Sequence, residues 1–197
     1  MKKMKKVLPL LLAVALLVGI AVTATLAWLT DASKEVKNVF TFGTVQTDLQ
    51  ETTTEYKMIP GWDIDKDPQA NVAADSEDCF LFVEVTESDN FDNFMTYTIA
   101  EGWTLLPGSE TATGGVYYRI FDSRDNTNTN VKGDYYPILK DDEVSVKEEV
   151  TEQMMEALTD ATKPTLTFKS YAVQLYKDND TQFTAEAAWA EAKPATP

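Results

Sequence analysis

Cys79-Phe80-Leu81-Phe82-Val83-Glu84-Val85 carries Leu81, Val83 and Val85 on one alternating face and Phe80 and Phe82 on the other. Successive side chains of a β-strand point to opposite faces, so a run that is apolar on both faces belongs between two packed layers. Around it the chain breaks into short β-rich bursts separated by Gly, Pro, Asp and Asn, the pattern of a sandwich or barrel. Val39 to Leu49 places Phe40 and Phe42 on one face. Beyond Gly43 the apolar phase moves to Val45, Thr47 and Leu49, which predicts a bulge at the glycine. Thr53 to Met58, Thr96 to Ala100 and Val116 to Phe121 are further predicted strands. Thr165 to Tyr176, β-branched and aromatic, is the last long one.

Two helices are expected among these strands. Val146, Val150, Met154 and Leu158 recur every fourth residue, with Met155 and Ala161 beside them, and Ser145 and Glu148 fit a capping box. This predicts an amphipathic helix from Val146 to Ala161, stopped by Pro164. A short C-terminal helix is predicted from Ala185 to Ala192, capped by Thr184, with Ala187, Ala188 and Trp189 as its apolar face. Asp122 to Asn130 reads as a polar hairpin loop, and Asp141-Asp142-Glu143 as a turn.

The chain opens with Lys2, Lys3, Lys5 and Lys6, then an apolar run of 16 residues from Val7 to Val22, short for a membrane span. Thr25-Leu26-Ala27 meets the small-x-small demand of a signal peptidase. Residues 1–27 are therefore read as a signal peptide, cut between Ala27 and Trp28, and 28–197 as a single β-sandwich domain of 170 residues. The first 27 residues hold four of the 17 basic residues and none of the 32 acidic ones. The remainder keeps 13 and 32, a formal charge of −19. That field repels nucleic acid and anionic lipid, and it makes self-association depend on salt, divalent cations or acid.

Histidine is absent, which removes imidazole zinc sites and nucleophiles activated by a His base, so the chain is not expected to be an enzyme. Cys79, the one cysteine, excludes an intramolecular disulfide and reads as a small buried hydrophobe or as the link in a disulfide dimer. Asp63-Ile-Asp65-Lys-Asp67 has the alternating oxygens that begin a calcium loop, but Pro68 stands at the sixth position and Ala74 at the twelfth, where glycine and glutamate are required. Asp122, Asp125, Asn126, Asn128 and Asn130 form a second oxygen-rich loop. No cofactor is expected, with calcium at Asp63, Asp65 and Asp67 the one candidate left open. Trp28, Trp62, Trp103 and Trp189 stand at different element ends, which favours packing over a shared sugar platform.

Thr25-Leu-Ala-Trp-Leu-Thr-Asp31, Asn38-Val-Phe-Thr-Phe-Gly-Thr-Val-Gln-Thr-Asp-Leu49, and Met58-Ile-Pro-Gly61 followed by Lys66-Asp-Pro68 resemble the TasA and camelysin (CalY) family of Gram-positive bacteria, whose signal peptides depend on the SipW peptidase. The resemblance covers residues 1 to about 90. It implies a jelly-roll sandwich, cleavage by a SipW-like peptidase, secretion to the extracellular matrix or cell surface, and self-assembly into biofilm fibres by donor-strand complementation. Trp28, Leu29 and Val36 are then the expected anchors of the donated segment. An extended segment adds to a sheet edge through main-chain hydrogen bonds, while alternate side chains fill pockets. Pairing of the same segment within its own subunit, and a surface adhesin or carbohydrate-binding module, are the alternatives.

Overall fold

The structure is a computed structural model that describes residues 45–52 and 57–192, which fall within one unit, Gly43–Pro197. The signal segment, the cleavage position at Ala27 and Trp28, the expected anchors Trp28, Leu29 and Val36, and most of the strand expected from Val39 lie outside the described residues, as does most of the one expected from Thr53.

Among the described residues, ten strands form three antiparallel sheets. The first is β1 (Thr47–Gln50), β3 (Gln69–Val72) and β8 (Tyr135–Pro137), in the order β1-β3-β8. The second holds β4 (Cys79–Glu87), β6 (Thr104–Leu105), β7 (Gly114–Phe121) and β10 (Leu166–Gln174), ordered β10-β4-β7-β6. The third is β2 (Asp63–Asp65), β9 (Glu143–Val146) and β5 (Met95–Thr96), ordered β2-β9-β5. Two short α-helices, α1 (Glu152–Glu156) and α2 (Ala185–Ala192), join them among the described residues in a mainly β, antiparallel sandwich.

β4 is the spine of this arrangement. Leu81, Val83 and Val85 face the larger core with Ala70 and Val72 of β3, Val144 and Val146 of β9, Phe121 and Phe168. Phe80 and Phe82 face a second cluster with Val116, Tyr171, Ala188 and Trp189, so α2 covers the outer face of the four-stranded sheet. The Trp189 ring lies 5.3 Å from Phe82 and 5.1 Å from Tyr171. A strand apolar on both faces thus has a layer against each. β7 runs beside β4 through Gly114, whose φ is +136°. A Cβ there would fall 2.0 Å from the Val85 carbonyl oxygen, so only glycine lets the strands meet at that point.

The expected helix from Val146 to Ala161 is largely replaced. Ser145 and Val146 belong to β9, and the helix is only Glu152–Glu156. Two facts decide against the longer helix. Val144 and Val146 both point into the core on the two-residue period of a strand, and Ser145, instead of capping, donates its hydroxyl to Asp63 Oδ1 at 2.6 Å. Val150 is buried in the connection, and Thr151 becomes the N-cap, its hydroxyl accepting from the Met154 amide at 3.2 Å. The C-terminal helix forms as expected over Ala185–Ala192, with the Ala187 amide donating to the Thr184 hydroxyl.

Candidate functional site

A sheet edge offers a row of backbone donors and acceptors, and a protein must pair them, cover them or use them. Most edges here are short or capped. β2, β5 and β6 are two or three residues long. β8 ends on Pro137, which has no amide proton, and its carbonyl accepts from Trp103 Nε1 at 2.8 Å. Beyond the end of β6, the outward carbonyl of Ile120 on β7 accepts from both Asn128 Nδ2 and Asn130 Nδ2 at 2.8 Å. The Asp122 to Asn130 loop is therefore a side-chain seal. Asp125 Oδ1 accepts from the Thr127 amide and hydroxyl, and Asn128 Oδ1 from the Asn130 amide.

β10 differs. It pairs with β4 over all nine residues, from Leu166 opposite Glu87 to Gln174 opposite Cys79. The bonds flanking the ladder, Ser88 N to Thr165 O at 2.9 Å and Leu175 N to Asp78 O at 2.8 Å, fix its phase. Odd-numbered residues of β10 turn their backbone groups to β4, and Leu166, Phe168, Ser170, Ala172 and Gln174 turn theirs outward. Among the described residues none hydrogen-bonds to these outward groups. β1, an edge strand of the first sheet, approaches β10 here, yet no backbone bond joins them among the described residues. Phe168 is buried, Leu166 packs on the same core, and Lys169 stands exposed on the other face.

The remaining candidate residues are placed differently from a ligand cluster. Asp63 and Asp65 are alternate residues of strand β2, spaced along it instead of converging on an ion. Asp67 accepts from the Thr52 amide and hydroxyl, and those bonds hold its carboxyl below the usual range. Among the described residues no three Cys, Asp or Glu side chains gather as a metal site. Asp141 and Asp142 form a turn with φ of 59° and 57° that leads into β9. Cys79 is fully buried, and burial pushes its thiol up to about 12, which leaves it unreactive. Trp189 is core, Trp103 caps β8, and Trp62 is 63% exposed beside the Pro60-Gly61 turn, so no two of the described tryptophans share a platform.

The edge of β10, bare among the described residues, was legible in the sequence only as a long strand. Its position at the edge depends on which strands pair, and periodicity within one segment does not carry that. No family model, curated protein or solved structure matches the chain.

Proposed function

We propose that this protein is a structural subunit that assembles by accepting an extended segment along β10, with residues 28–44 of a second copy as the donated segment. The single observation that carries the reading is the nine-residue edge of β10, bare in outward hydrogen bonds among the described residues while the other edges are short or capped. Five outward residues supply alternate donors and acceptors, enough for an extended stretch that runs from Trp28 to Val36. In this reading the chain is exported and a SipW-like peptidase cuts it between Ala27 and Trp28. It then works without catalysis at the cell surface or in the extracellular matrix, as a biofilm fibre subunit or its accessory. Trp28, Leu29 and Val36 anchor the donated segment. The formal charge of −19 keeps subunits apart until salt, divalent cations or acid screen it.

The test is negative-stain electron microscopy of residues 28–197 beside a chain beginning at Val39, each incubated across pH and salt. Fibres from the first and not the second are expected. Monodisperse particles from both sink the reading.

A further inference from the structure

The sealed side of the four-stranded sheet holds a cavity of about 320 Å³, where β7 runs past the end of β6. Gly102, Thr104, Arg119, Asp125, Thr129 and Asn130 are among the residues that line it. Arg119 reaches it from β7 between two rings, its Cζ 5.0 Å from the Trp103 centroid and 4.6 Å from that of Tyr136. Nη1 donates to Asn130 Oδ1 at 3.1 Å and Nη2 to the Glu101 carbonyl. The backbone closes against the guanidinium at Gly102, where φ is +84° and a Cβ would come within 2.5 Å of Nη1.

Two features of this arginine are unusual in a chain with 32 acidic residues. Among the described residues no carboxylate pairs with it, and its Nε is buried without a hydrogen-bond partner. A partly buried charge without a counter-ion is costly, and a planar guanidinium with spare N–H groups fits a carboxylate. The rim is built before any ligand arrives, because the bonds from Thr127 to Asp125 and from both asparagines to Ile120 fix the loop. Among the described residues no hydrogen bond uses Asp125 Oδ2 or the hydroxyls of Thr104 and Thr129, which line that rim.

We propose that this cavity binds a hydroxylated monocarboxylate, a uronic-acid sugar, with its carboxylate on the Arg119 guanidinium and its ring hydroxyls on Asp125, Thr104 and Thr129. Asp125 sets the class. Its own carboxylate accepts O–H groups and repels a second acid, which favours a sugar acid over a dicarboxylate or an acidic peptide. The volume is at the small end of ligand pockets and suits one sugar ring.

Titration of the exported, processed protein with D-galacturonate, followed by amide NMR, tests it. Saturable shifts are expected at Gly102, Arg119 and residues 125–130. Galactose and acetate at the same concentrations are expected to give none. Arg119→Lys and Thr129→Ala should each weaken binding by about tenfold or more, a change that corresponds to about 1.4 kcal/mol. Thr129 is exposed, and none of the described hydrogen bonds uses its side chain, so that variant keeps the fold. No saturable shift with galacturonate, an equal response to galactose or acetate, or unchanged affinity in the Thr129 variant would overturn the proposal.

Discussion

The two sides of the four-stranded sheet solve the same problem in opposite ways. On the β7 side, β6 covers the edge for two residues, and Asn128 and Asn130 then place two amides on the next outward carbonyl. Asp78 anchors that seal from below, accepting from Lys132 Nζ at 2.9 Å and from the Ser123 amide and hydroxyl at 3.0 and 2.7 Å. On the β10 side, nine residues pair inward and no described residue pairs outward. One edge is closed by polar side chains from a loop rich in Asp, Asn and Thr. The other has no outward partner among the described residues, and a sheet edge must be paired, covered or used.

The comparison can be broken at its common support. Phe82→Ala empties the contact between β4 and Trp189 and is expected to cost about 3–5 kcal/mol, read by urea or thermal unfolding. Both edges should fail together, since both are held by β4. A loss below about 1 kcal/mol would mean that α2 is not a true layer.

A smaller change opens the sealed side alone. Asn128→Ala with Asn130→Ala leaves the Ile120 carbonyl without its two donors and should lower stability by about 1–3 kcal/mol. It should also bring concentration-dependent association, seen by light scattering, even in a chain beginning at Val39. Unchanged scattering would show that the amides are not what protects β7.

On the open side, Ser170→Pro removes an amide proton that faces away from β4. It should cost little, on the order of 1 kcal/mol, while preventing assembly. Fibres formed by this variant would show that β10 is not the acceptor.

The smallest effect concerns pH. Burial alone would raise the Asp78 carboxyl, but the bonds from Lys132 and Ser123 outweigh it and hold it below its ordinary value of 3.8. A depressed folded pKa gives stability that is present above the unfolded value and is lost as pH falls through the folded one. Acid should therefore loosen the Asp122 to Asn130 loop, as read by its amide signals below about pH 4, before β10 parts from β4. Asp78→Asn should flatten that acid dependence.

What the sequence disclosed follows from what is local. Cys79 to Val85 showed its two apolar faces and took the central place they demand. The α2 cap at Thr184 lies within four residues of the contact it makes. The helix expected from Val146 shrank to Glu152–Glu156 because Val146 and its expected cap Ser145 belong to β9, which pairs with a distant strand. Ser145 meets Asp63 across 82 positions, and four-residue spacing within one segment cannot register that contact. β8 pairs with β3 64 to 68 positions away and β9 with β2 78 to 82 positions away, and β2, β3 and β8 are only three or four residues long, too short to impose a period. Arg119 was invisible as a site for the same reason. Trp103, Tyr136, Asn130 and Gly102 meet it only once the sheet has formed.

Hydrogen exchange at β10 tests the central claim most directly, comparing free and assembled protein amide by amide. In the free protein the amides of Leu166, Phe168, Ser170, Ala172 and Gln174 should exchange quickly while those of Thr167, Lys169, Tyr171 and Val173 are protected. Assembly should protect the first set and leave exchange in the Asp122 to Asn130 loop unchanged. If the outward amides of β10 exchange equally fast in both states, the edge is not where the subunits join.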